Sequence, residues 1–179
     1  MVKALMAGIA LALAALPGAA AAQDGEKLDC VALSVPGDTR ESIGEAMAGG
    51  GDEASREALF KQLASITDAC VTRHGITAEQ KGPYFDYGLA RISREWLAND
   101  IATLGLSPAV VDKALDFGPT GANPDLSADM TEEQIMKIVQ AYVETGIDIE
   151  TVDGAAWEKV GAYAAATSIY WNKRNQLVP

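Results

Sequence analysis

The sequence predicts an all-α protein: an irregular bundle of about five to six helices, joined by tight glycine-centred corners and held by one disulfide. Three observations lead there. Apolar residues recur at helical spacing almost everywhere after residue 38, while strand-like alternation is nearly absent. The chain presents Gly, then Leu or Ile, then a capping residue three times, as Gly75-Ile76-Thr77, Gly105-Leu106-Ser107 and Gly146-Ile147-Asp148. Each triplet reads as a helix ending on a left-handed glycine, an apolar residue folding back onto the last turn, and an N-cap for the next helix. Finally, two cysteines, Cys30 and Cys70, follow an N-terminal segment with the features of an export signal.

That segment carries one cation, Lys3, and then no polar side chain from Ala4 to Ala22. Ala4 to Leu16 has the length of a signal-peptide hydrophobic region, Pro17-Gly18 breaks a helix, and Ala20-Ala21-Ala22 supplies small residues for cleavage after Ala21 or Ala22. The alternative, an uncleaved membrane anchor, accounts less well for the Pro-Gly break and the alanine run. Residues 1–22 are therefore expected to be removed, leaving a protein of the periplasm or the medium with no membrane attachment. In such a compartment two thiols with no competitor pair, so Cys30–Cys70 is expected as a disulfide. The competing reading makes Cys70 and His74, four residues apart on one helical face, a thiolate–imidazole dyad or half of a metal site.

The remaining elements follow in order. Residues 23–37 form an N-terminal arm tethered by Cys30, and 38–179 form a single helical domain. Asp38 to Glu41 has a capping-box pattern opening a short helix that ends at Gly49-Gly50-Gly51. Asp52 caps a longer helix to about Arg73, with Leu59, Leu63, Ile66 and Cys70 on its core face. Thr77 starts a fresh turn, and a helix from about Tyr84 to Leu104 buries Phe85, Leu89, Ile92, Trp96, Ile101 and Leu104, with Arg91 and Glu95 on its wet side. Pro108 opens a short helix to about Phe117. Residues 118–130, rich in Gly, Pro and Asn, are expected to be a flexible loop. Thr131 to Gln134 is a second capping box, opening a helix to Thr145, and a last helix runs from about Gly154 to Asn175. A loose likeness between residues 105–114 and 146–155 is too thin for a repeat protein, which needs several stronger units.

Composition limits function. Lys and Arg number 14 against 25 Asp and Glu in 179 residues, a formal charge of −11, and loss of Lys3 with the leader takes it to −12. No basic face remains to neutralise phosphates, so nucleic acid is not an expected partner. One His cannot complete a zinc site, and Asp125, Asp129, Glu132 and Glu133 miss the spacing of a calcium loop: counted from Asn123, position six is Ala128 and position twelve is Gln134. Those carboxylates suit the positive N-terminus of the following helix. No phosphate loop, dinucleotide fingerprint or nucleophile elbow is present, so no catalytic, cofactor-binding or metal-ligating residue is assigned. The expected role is a non-enzymatic binding or interaction module of the cell envelope, with an unidentified protein or small ligand, cationic in character, as partner. A ligand groove is expected beside Tyr163 and Tyr170, seven residues apart on the last helix. A carboxylate-based hydrolase and an acid-stress chaperone of the envelope are the alternatives.

Overall fold

The computed structural model describes residues 17–178 other than Ser127. Residues 1–16 of the expected leader lie outside the described residues; the backbone of residues 17–22 is helical. Among the described residues there are seven α-helices and no strand, so the class is all-α. They are α1 (Pro17–Ser34), α2 (Gly37–Met47), α3 (Glu53–His74), α4 (Ala78–Thr103), α5 (Pro108–Ala114), α6 (Glu132–Glu144) and α7 (Gly154–Leu177), with one 3-10 turn at Ile149–Thr151. The helix beyond the expected five to six is α1, which takes up most of the residues read as an arm. Leu28, Val31, Ala32 and Val35 are buried at the 3, 1, 3 spacing of a helical face, a stripe too short to stand out beside the leader.

All three corners show the predicted left-handed glycine and fold-back; of the three expected caps, Thr77 caps α4, Asp148 caps the 3-10 turn, and Ser107 precedes α5 without a side-chain cap bond. Gly75, Gly105 and Gly146 have φ of 62°, 79° and 88°. The next residue's amide in each case donates back to the carbonyl five positions earlier: Ile76 to Val71 (3.1 Å), Leu106 to Ile101 (3.0 Å) and Ile147 to Tyr142 (3.2 Å). Ile76 and Leu106 are buried by that fold-back. Thr131 and Gln134 make the reciprocal capping box that opens α6.

Two starts differ from expectation. The capping box at Asp38 does not form, because Pro36 and Gly37 begin α2 earlier and leave Asp38 inside the first turn, accepting from the adjacent Thr39 amide (2.7 Å). Thr77 caps α4, which runs through Pro83 without interruption instead of restarting at Tyr84. Gly82 permits this: the residue before a proline is normally kept out of the helical region by its own Cβ, and glycine has none. A further correction concerns Leu104, expected in the core but 48% exposed at the helix end. Tyr84, Tyr87, Ser93 and Leu97 are buried in α4 instead.

The helices α4 and α7 are the axis of the bundle, packed along most of their lengths. At one end α1, α2 and α3 complete a core of Val31, Ile43, Leu63, Cys70, Tyr84, Tyr87 and Ile92; at the other, α5 and α6 enclose Leu97, Ile101, Val111, Tyr142, Val160 and Tyr163. Two glycines set the closest approaches. A Cβ on Gly44 would lie 2.1 Å from Trp96 Cγ, and one on Gly88 would lie 2.7 Å from Val31 Cγ1, so the missing side chains let the α2 backbone approach Trp96 of α4 and let Val31 of α1 approach the α4 backbone.

The disulfide joins Cys30 of α1 to Cys70 of α3, with Cα atoms 6.0 Å apart. Both sulfurs are buried. Because Cys70 is bonded, it has no thiolate to share with His74, and the dyad is ruled out. Arg91 ties α4 to α1 through an ion pair with Asp29 and pairs within α4 with Glu95 (3.0 Å). Among the described residues, no helix is long and apolar enough to cross a membrane.

Residues 116–126 are tied to each other and to α7. Asn123, 6% exposed, receives the Gly118 amide (2.9 Å) and donates to the carbonyls of Gly118 and Gly121. Ser168 of α7 accepts from the Leu126 amide (2.9 Å) and donates to the Pro124 carbonyl (2.7 Å). Asn172 donates to the Asn123 carbonyl (3.1 Å).

Candidate functional site

Tyr163 and Tyr170 do share one side of α7, but a cation stands between them. The Arg94 guanidinium carbon lies 5.5 Å from the Tyr163 ring centre and 5.4 Å from that of Tyr170, within cation–π range of both. Arg94 also donates to Tyr163 Oη (3.1 Å) and Thr167 Oγ1 (3.2 Å) and pairs with Asp112 of α5 (3.0 Å). Tyr163 Oη in turn donates to the other Asp112 oxygen (2.8 Å). Tyr163 is buried, and removal from water pushes its phenol up to about 12. Tyr170 is half-buried and stacks on Tyr87 with ring centres 5.2 Å apart. The predicted pair is therefore occupied by protein groups, and a ligand between the rings would have to displace Arg94 from four partners.

Two apolar cavities open on other sides of α7. One, of about 330 Å³, lies between α4 and α7 over the small residues Ala162, Ala165 and Ala166. At one end it meets the ion pair of Asp86 with Lys173 (3.1 Å). Its one hydroxyl, on Ser93, is already donated to the Leu89 carbonyl (2.8 Å).

The second cavity, of about 310 Å³, lies between α6, the 3-10 turn and α7. It is lined by Ile135, Ile138 and Val139 of α6, Ile149 of the turn, Trp157, Val160 and Gly161 of α7, and Met130. No charged side chain enters the lining. The cavity arises locally from three features. The capping box and the Gly146 corner fix both ends of α6. Its apolar face is broader than its packing: Ile138 and Tyr142 are buried, while Ile135, Met136 and Val143 are 44%, 57% and 49% exposed. Gly161 has no side chain where the preceding turn of α7 carries Trp157, and a Cβ there would meet only Met130 Cε, at 3.6 Å. Trp157 forms one wall, held edge-on to Tyr142 with ring centres 5.7 Å apart.

The groove expected beside Tyr163 and Tyr170 and the cavity at Trp157, Val160 and Gly161 lie on different sides of α7. Available signals were the wide apolar face of α6 and a glycine in mid-helix, which usually costs stability and needs a packing reason.

Compared with known proteins, the chain matches no family model, no curated protein and no solved structure.

Proposed function

We propose that this is an exported, non-enzymatic binding module of the cell envelope, and that it binds through the apolar cavity between α6, the 3-10 turn and α7. Export is supported by the leader pattern of residues 1–22 and by the disulfide, which is the chemistry of an oxidising compartment. The single observation that carries the binding reading is a cavity of about 310 Å³ lined by apolar side chains, among them the exposed Ile135 on α6. Apolar area left open to water is unfavourable by roughly 25 cal/mol per Å², and filling it with an apolar partner recovers that free energy.

The test uses the full chain expressed with its leader and purified from the cell envelope fraction. Its intact mass should lack residues 1–21 or 1–22; material outside the cytosol that retains Met1 would defeat the export reading. A neutral apolar dye such as Nile red should bind saturably. Gly161→Leu fills the cavity while removing a helix-weakening glycine, so the variant should hold its melting temperature and lose dye binding. Equal binding by a folded Gly161→Leu variant would overturn the assignment.

A further inference from the structure

The charge around this cavity is one-sided. Asp129 adjoins Met130 in the chain, Glu132 lies one helical turn before Ile135, Glu150 adjoins Ile149, and Glu158 adjoins Trp157. All four carboxylates belong to exposed residues, and none has an ion-pair partner among the described residues. The two cations next to lining residues are already engaged, Lys137 with Glu133 (2.9 Å) and Lys159 with Asp100 (2.7 Å). An apolar cavity whose lining residues are flanked along the chain by exposed, unpaired carboxylates selects its occupant by complementarity.

We infer that the cavity takes a basic amphipathic helix of a partner protein, with apolar side chains inserted between α6 and α7 and Lys or Arg on its flanks. The inference rests on the binding reading above and adds the partner's chemistry. A fatty acid or another anionic amphiphile would bring its head group toward four like charges. A second copy of this chain would bring the same carboxylates and, with Lys3 lost with the leader, a net charge of −12 against −12. A cationic helix meets both surfaces. Its anchors, at i, i+3 or i+4 and i+7, span roughly 10 Å, which the 13-residue α6 at about 1.5 Å per residue easily accommodates.

Three synthetic helical peptides with one common leucine face and flanks of Lys, Gln or Glu separate the contributions when titrated against the full chain. The Lys-flanked peptide should bind at least tenfold tighter than the Gln-flanked one, and the Glu-flanked one should not bind. Raising salt should weaken the Lys-flanked peptide about tenfold, since exposed charges are screened over a Debye length of about 10 Å at 0.1 M. The variant Glu132→Gln/Glu150→Gln/Glu158→Gln should remove most of that preference while keeping the fold. Gly161→Leu should abolish binding of the Lys- and Gln-flanked peptides. Equal affinity for the three peptides, or no peptide binding by a protein that still takes up Nile red, would overturn the inference and leave the cavity reading intact. Lys-peptide binding that survives in folded Gly161→Leu would overturn it too, by showing attraction to the acidic surface at large. Loss of Nile red binding in the parent chain would remove the underlying reading.

Discussion

Arg94 fills the space between Tyr163 and Tyr170 because its planar guanidinium can donate along its edge and stack across its faces at once. The edge goes to Asp112, Thr167 and Tyr163; the faces meet the two rings. Such a cluster locks α4, α5 and α7 together; burial keeps the Tyr163 phenol protonated, while the Arg94 charge pulls the other way. Removal from water likewise holds Tyr84 and Tyr142 up to about 12 and raises Tyr87 further, against an ordinary value of 10.0. The sign for stability follows. Below pH 10 these phenols are neutral in the folded and unfolded chain and contribute no pH dependence. Above it the unfolded chain ionises first, so stability is lost as pH rises from 10 through about 12. An alkaline titration read by tyrosinate absorbance and helical circular dichroism should therefore show most of the five tyrosines ionising together with loss of helix. Smooth tyrosinate formation near pH 10 by a fully helical protein would contradict this burial.

At the scale of elements, features with a local signature were legible before the fold was known. The glycine corners needed only three consecutive residues each, and the capping box at Thr131 only four, because every bond involved closes within one turn. The same logic failed at Asp38, where Pro36 and Gly37 supplied a competing start, and at α4, where Gly82 let Pro83 pass. What could not be read locally is which face of a helix meets which neighbour. Tyr163 proved buried and Leu104, at the C-cap of α4, exposed, and each cavity exists only once its helices are placed, α4 against α7 for one and α6 against α7 for the other. The anchoring of residues 116–126 is long-range for the same reason, since it depends on Ser168, 42 positions from Leu126. Ser168→Ala should leave the buried Leu126 amide without its acceptor, at a cost of about 1–3 kcal/mol. Urea unfolding would read that loss. Unchanged stability, with the Leu126 amide still protected from hydrogen exchange, would show that this bond does not hold the loop.

Across the whole molecule, α1 is held mainly by side chains rather than by chain continuity with the axis. Its buried Val31 lies against Gly88, Tyr84 Oη donates to its Lys27 carbonyl (2.5 Å), Arg91 reaches its Asp29, and Cys30 is bonded to Cys70. Of these, the covalent link restricts the unfolded chain most. Closing a loop with a sequence separation of 40 removes conformational freedom worth about 4 kcal/mol in the chain-entropy model. That is a large share of the roughly 5–15 kcal/mol typical of a domain. Reduction should act unevenly, because the half of the molecule built on α5, α6 and the far end of α7 has its own core. The expected result is a lower melting temperature with a thiol reductant. Hydrogen exchange should rise first in α1 and the facing turns of α3, while Tyr142 and Val160 stay protected. A Cys30→Ser/Cys70→Ser variant should match the reduced protein. If both retain the melting temperature of the oxidised chain, the non-covalent contacts of α1 suffice and the disulfide adds nothing to the fold. If exchange rises equally at Tyr142, the two cores unfold as one unit, and the binding cavity depends on oxidation as much as α1 does.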